Sequence, residues 1–278
     1  QRLIRKLQFT LAWTFGRIGR AALQPFSERA SEASNISKPT PGILRAAGYL
    51  SDVLEYLPPC TVSLDETHDP PVLVWSDAMW EPNSKNPAQG GFVIRIPGTN
   101  GAKTKTFYSS HVTPEAVLKK FVQGKKQYIG QLELLYAVAV YTSAPKLLAN
   151  RRVVHFIDNT SAVAGLVKGY SRAIDSGRIT NAFHAFNAGL RAMTFFEYIR
   201  SKANIADLPS RGGMEELKRV FREADCFGEI REIKCRLPEI SAWHDHASTW
   251  IRRGIHEKDK CRRQSAVATS RNRKRATS

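Results

Sequence analysis

The stretch Val72-Leu73-Val74-Trp75-Ser76-Asp77 is a run of β-branched, apolar and aromatic residues that ends on a carboxylate. Preceded by Pro70-Pro71, it has the length and composition of a buried strand. Further along, Arg152-Val153-Val154-His155-Phe156-Ile157 repeats the design and also ends on an acid, Asp158. Between the two lie Gly90–Ile96 and Lys105–Ser109, read as strands separated by the turn Pro97-Gly98-Thr99-Asn100-Gly101. Three adjacent strands with short connections predict an antiparallel meander. Helices are predicted over Thr113–Phe121, Gln131–Ser143, Ser161–Val167 and Ile179–Ala192. A last strand at Thr194–Ile199 and a short helix at Ile205–Ser210 complete an α/β pattern, the later strands being added by right-handed crossovers.

Working outward, residues 1–70 read as a separate helical segment. Leu3–Leu23 and Ile43–Tyr56 carry helical periodicity, and the Ser- and Pro-bearing stretch Glu28–Pro41 links them. Residues 71–212 form the α/β unit. Residues 213–250 are expected to be a helical extension because Met214–Ala224 is amphipathic, and 251–278 a basic, disordered tail. The tail contains Arg271-Asn272-Arg273-Lys274-Arg275, a pattern also compatible with nuclear import.

A formal charge of +17 and a pI of about 10.0 point to a polyanionic partner. No apolar run is long enough to span a bilayer, so no membrane partner is expected. The start at Gln1 lacks a secretory layout and suggests a fragment of a polyprotein or a processed product. Four scattered cysteines without a Cys-x-x-Cys pair favour a reducing, intracellular home, cytoplasmic or nuclear. Cys226, Cys235, His244 and His246 match no zinc spacing, and ordinary thiols and histidines are the simpler reading.

Four acids stand in unusual places. Asp77 and Asp158 end strands, Glu133 lies near the start of an almost wholly apolar helix, and Asp207 opens the last helix. Singly, each has an ordinary explanation as a turn former or a helix-dipole partner. Together they admit another. If the strands ending in Asp77 and Asp158 are parallel neighbours, both acids emerge at one carboxyl edge, where open α/β sheets bind ligands. The crossover helix can bring Glu133 there, and the final helix Asp207. Such a cluster suits hard divalent cations, Mg²⁺ or Mn²⁺, and a pair of ions can clamp a phosphodiester.

The motifs Trp75-Ser76-Asp77-Ala78, Gln131-Leu132-Glu133-Leu134-Leu135, Phe156-Ile157-Asp158-Asn159-Thr160-Ser161-Ala162 and Asn204-Ile205-Ala206-Asp207-Leu208-Pro209-Ser210-Arg211 resemble the type 1 ribonuclease H domain of retroelement reverse transcriptases. Phe15–Arg20 and Leu57-Pro58-Pro59 look, more weakly, like the thumb-to-ribonuclease connection of such polymerases. The resemblance implies a ribonuclease H-like, five-stranded mixed sheet, three antiparallel strands then two parallel, flanked by helices. It implies an endonuclease that cuts the RNA strand of RNA–DNA hybrids with two Mg²⁺ or Mn²⁺ ions and works beside the polymerase part of the same polyprotein. Asp77, Glu133, Asp158 and Asp207 would hold the metal, and Glu133 would also meet a ribose 2′-hydroxyl. Ser76, Asn159 and Asn204 would position substrate. One departure stands out: the loop Tyr198–Asn204 lacks the histidine found before the fourth acid in many members, leaving Arg200 or Lys202 in its place. His184 is expected to be a core or surface residue.

Lys168, Tyr170, Ser171, Arg172 and Arg178 form a basic rim after the third motif, readable as a hybrid-binding handle or as a solvated loop. Two alternatives remain open. The same fold serves DNA nucleases and exonucleases, and a decayed element could keep the basic surface and bind nucleic acid without cutting it.

Overall fold

The computed structural model describes residues 2–10, 17–31, 38–59, 70–99, 101–121, 127–224, 226–238 and 247–260. Its centre is a mixed sheet. Strands β1 (Val72–Trp80), β2 (Ala88–Ile96) and β3 (Lys105–Val112) form the antiparallel meander. β4 (Arg152–Ile157) and β5 (Met193–Tyr198) add parallel to β1 and to each other on its far side. These five strands have the ribonuclease H-like arrangement expected. A sixth, β6 (Glu229–Glu232), pairs parallel with β3, so the full order is β5-β4-β1-β2-β3-β6. It lies where the sequence suggested only helix. Its four residues are too few and too charged to show a period-two pattern, and beside its pairing with β3 it is tied in by the Thr106 hydroxyl donating to the Phe227 carbonyl (2.5 Å).

Helices cover both faces. On the N-terminal side are α1 (Arg2–Thr10), α2 (Gln24–Ser31) and α3 (Pro41–Tyr56). Gly19, at φ 79°, turns the chain between α1 and α2, so Leu3–Leu23 is not one helix. α3 begins as its sequence dictates, with Thr40 accepting from the Ile43 N–H (3.3 Å) and Pro at the first helical positions. The predicted Thr113–Phe121 helix shortens to α4 (Glu115–Leu118), which starts only after Pro114, in extended conformation.

α5 (Ile129–Ser143) is the central crossover helix. Every residue from Gln131 to Tyr141 is buried, so it shows no apolar stripe. It packs on β1 and β2 on one side and on α8 (Ile174–Leu190) on the other. α6 (Pro145–Leu148) and α7 (Thr160–Lys168) precede α8. α8 starts five residues before the sequence suggested, because Ala173 supplies no side-chain cap to mark its beginning. Tyr141, Phe183 and Phe196 form the aromatic centre of this layer, with Tyr141 and Phe183 edge to face at 4.9 Å. Burying each such ring contributes about 1.5–3 kcal/mol.

The opposite face carries α9 (Asp207–Ser210) and α10 (Met214–Glu223). There Val93, Tyr108, Leu217, Phe221 and Phe227 form a second, smaller core.

Residues 247–260 form one more helix, α11. Trp250 and Ile251 are buried in it, and the Asp52 carboxylate of α3 accepts from the Ser248 N–H (3.1 Å) and hydroxyl (2.7 Å). Residues 251–260, expected to begin a disordered tail, therefore continue a packed helix. Gly189 of α8 and Gly254 of α11 abut one another's backbones, an approach that side chains would block. The rest of the expected tail, 261–278, lies outside the described residues.

Candidate metal centre

The centre is built where two strands part. Parallel pairing of β1 with β4 ends at Ser76 and Ile157, whereas β1 stays paired with β2 up to Trp80. Asp77 and Asp158 are the next residues on each strand, side by side at the opening fork. Asp77 therefore follows the last parallel pair and does not end the strand itself. Glu133 reaches the fork from α5 and accepts a hydrogen bond from the Ala78 backbone N–H. One carboxylate oxygen from each of Asp77, Glu133 and Asp158 lies within 4.8 Å of the others. Three of the four expected acids thus converge.

Asp207 stands beside this trio rather than in it. Its Oδ1 accepts from Arg211 Nε at 2.7 Å, one helical turn on, although its charge is still felt by Asp77 and Glu133. α9 is held against the sheet by two features. The Ser110 hydroxyl donates to the Pro209 carbonyl (2.6 Å). Gly91, opposite Asp77 on β2, leaves room for the α9 backbone, since a Cβ there would lie 2.7 Å from the Pro209 carbonyl carbon and the Ser210 nitrogen. This seating aims the Ser210 hydroxyl at Asp77 Oδ2, to which it donates.

Electrostatically the trio is under strain. Burial raises the Asp77 pKa to about 7; the Ser210 hydrogen bond opposes this, and the charges of Asp158 and Asp207 add to it. Glu133 is pushed well above the usual carboxylate range by burial first, then by Asp77 and Asp158. Glu133 Oε2 is buried without a hydrogen-bond partner. A buried acceptor with no donor, within reach of two more carboxylates, is a donor set suited to a hard divalent cation. The residues present fit one.

The expected substrate contacts divide. Ser76 is fully buried on the face of β1 opposite Asp77, with its hydroxyl 2.9 Å from His155 Nε2. Period-two alternation places it in the core, so it is not available to substrate. Asn204 is also buried. Its Nδ2 donates to the Ser76 carbonyl (3.1 Å) and its Oδ1 accepts from the Ala206 N–H (3.2 Å), bracing the loop before Asp207. Asn159 caps α7 through Oδ1, which accepts from the Ser161 and Ala162 N–H groups at 3.1 and 3.0 Å. Lys168 and Arg172 are exposed and Arg178 half-buried, and none joins the acids. Lys168 lies ten positions after Asp158, at the far end of the nine-residue α7, which is about 13 Å long.

His184 is a core residue, its Nε2 3.0 Å from the Leu166 carbonyl, and burial lowers its pKa to about 3. Arg200 and Lys202, in the loop without histidine, are exposed. Cys235 is buried, and its thiol is pushed up to about 12 by that burial; Cys226 is exposed. His244 and His246 lie outside the described residues. Sequence reasoning missed the positioning roles of Ser210, Gly91, Arg211 and the Ala78 N–H. The Gly90-Gly91 pair was the only local sign of a close backbone approach.

Among the described residues, no helix is long and apolar enough to cross a membrane. No family profile and no curated protein matches the chain. Among solved structures, it is similar to the N-terminal RNase H domain of Rv2228c from Mycobacterium tuberculosis, determined as a fusion with maltose-binding protein. The match has 16% identity and a TM-score of 0.36, and covers 54% of this chain and 96% of that one. The fold assignment rests instead on strand order and register, and the metal centre on the meeting of Asp77, Glu133 and Asp158.

Proposed function

We propose that the chain is a metal-dependent endonuclease that hydrolyses the RNA strand of RNA–DNA hybrids, as the ribonuclease H part of a retroelement reverse transcriptase. The observation that carries this reading is the convergence of Asp77, Glu133 and Asp158 at the parting of β1 and β4. The net charge of +17 favours a polyanionic substrate.

Asp77, Glu133 and Asp158 would hold Mg²⁺ or Mn²⁺, with Asp207 completing the set for a pair of ions. Bound there, divalent ions supply Lewis acidity and a water of lowered pKa beside the phosphodiester. The protein's own part is positional. Ser210 fixes the Asp77 carboxylate, the Ala78 N–H orients Glu133, and Arg211 pairs with Asp207 at the margin of the trio. The motif resemblance gives Glu133 a further contact, with a ribose 2′-hydroxyl, the group that separates RNA from DNA.

The test is cleavage of end-labelled RNA in a hybrid with Mg²⁺, alongside DNA duplex and single strands. Selective cutting of hybrid RNA, abolished in a folded Asp158→Asn variant, is expected. Undiminished cutting by that variant removes the mechanism, and equal cutting of DNA duplex removes the substrate assignment.

A further inference from the structure

Residues 1–70 carry nearly equal numbers of acidic and basic side chains, yet folding brings Arg20 together with Arg172, and Arg29 and Arg45 with Arg178. The segment between α1 and α3 lies against the α7–α8 loop. Arg20 Nη1 donates to the Lys168 carbonyl (3.2 Å) and Gln24 Nε2 to the Arg172 carbonyl (3.3 Å). Gly169, at φ 76°, allows the Arg17 backbone to sit where a side chain would otherwise be. Tyr49 of α3 donates to the Asn181 carbonyl on α8 (3.0 Å).

Two adjoining grooves result, of about 650 and 440 Å³. Arg20, Tyr170 and Arg172 line the first, and Arg29, Arg45 and Arg178 the second; Gln24 and Glu28 belong to both. Glu28 is the one carboxylate lining either groove among the described residues, and Gln24 Nε2 donates to it at 2.9 Å. The cations crowd each other. The Arg178 guanidinium is held below its ordinary range by burial and then by Arg45, against the opposing charge of Asp175, and that of Arg17 by burial and then by Arg20. Such a surplus is costly unless a polyanion neutralises it.

We propose that this trough, built jointly by the N-terminal segment and the α7–α8 loop, binds the phosphate backbone of a nucleic-acid duplex to one side of the carboxylate cluster. Guanidinium groups suit this work because their planar donor fork matches phosphate oxygens. The exposed Tyr170 adds a ring and a hydroxyl at the trough's edge. α7, about 13 Å long, runs from the Asp158 end of β4 to Lys168, whose carbonyl accepts from Arg20 of the trough. Taking an RNA–DNA hybrid as that duplex rests on the reading proposed above; the trough itself does not.

The experiment measures binding of a fluorescein-labelled RNA–DNA hybrid to the full chain in EDTA across a KCl series. For Arg20→Ala/Arg45→Ala, the slope of log K against log[KCl] should fall by about 1.8, about 0.9 for each phosphate no longer neutralised, and affinity should weaken about tenfold. Arg20→Lys/Arg45→Lys should keep most of the slope. An unchanged slope in the alanine variant overturns the proposal, as does an equal loss in the lysine variant, which would reveal a purely structural role. Displacement of the hybrid by polyglutamate as readily as by unlabelled duplex overturns nucleic acid as the occupant. A wild-type chain that shows the expected slopes but cuts no RNA with Mg²⁺ defeats the nuclease reading and leaves the trough standing.

Discussion

Replacing Asp77 by Asn should make the metal-free protein more stable at neutral pH, and the size of the gain follows from the fork. In the unfolded chain Asp77 titrates near 3.8, whereas in the fold burial and the neighbouring acids raise it to about 7. A group whose folded pKa is raised contributes stability that is fully present below its unfolded pKa. That stability is lost as pH rises through the folded value. Ionised Asp77 should therefore cost the metal-free protein stability progressively between about pH 4 and 7. About three pKa units at about 1.4 kcal/mol each set an upper bound of about 4 kcal/mol, and sharing among the coupled acids brings this to about 2–4 kcal/mol. The assay is urea unfolding of wild type and Asp77→Asn in EDTA, from pH 4.5 to 8. Comparing the two at each pH cancels the self-repulsion that such a basic chain gains on acidification. The difference should be smallest at pH 4.5, about 1 kcal/mol, and grow in favour of the variant towards pH 8. Added Mg²⁺ should stabilise wild type and close the gap. A difference that stays constant across the range, or a wild type indifferent to Mg²⁺ at pH 8, would refute the electrostatic account of the site.

Further outcomes follow from particular contacts. Gly91→Ala puts a methyl group 2.7 Å from the α9 backbone; overpacking should cost about 1–3 kcal/mol in a urea melt and weaken Mg²⁺-dependent stabilisation by moving Ser210 off Asp77. Ser76→Ala removes the hydroxyl partner of buried His155 Nε2, so stability should drop by about 1–3 kcal/mol while the hybrid dissociation constant in EDTA stays put; a large binding loss at unchanged stability would restore Ser76 as a substrate contact. Gly189→Ala should force α8 and α11 apart, destabilising the fold by about 1–3 kcal/mol and shifting Trp250 fluorescence to the red as its burial loosens.

Much of the α/β unit was legible in the chain because strand signals are local. Val72–Asp77 and Arg152–Ile157 announce themselves by composition, and their parallel pairing follows from the crossover between them. Reading failed where the signal is not local. β6 is recognisable only beside β3, and α8 begins without a capping side chain. Ser76 was assigned to substrate by its position in a motif, although alternation along β1 already turns it away from Asp77.

The chain by itself determined which acids were exceptional, because a carboxylate closing an apolar strand or lying within an apolar helix is costly wherever the chain then goes. Register decided the rest. Pairing that ends at Ser76 and Ile157 sets Asp77 beside Asp158, and a glycine at position 91 lets a distant hydroxyl reach the first of them. The same dependence on tertiary structure draws the N-terminal arginines to Arg172 and Arg178, and leaves Asp207 paired with Arg211 at the margin of the trio. These juxtapositions join residues far apart in the chain, and distances of a few ångströms between them are set by packing, which no local pattern encodes.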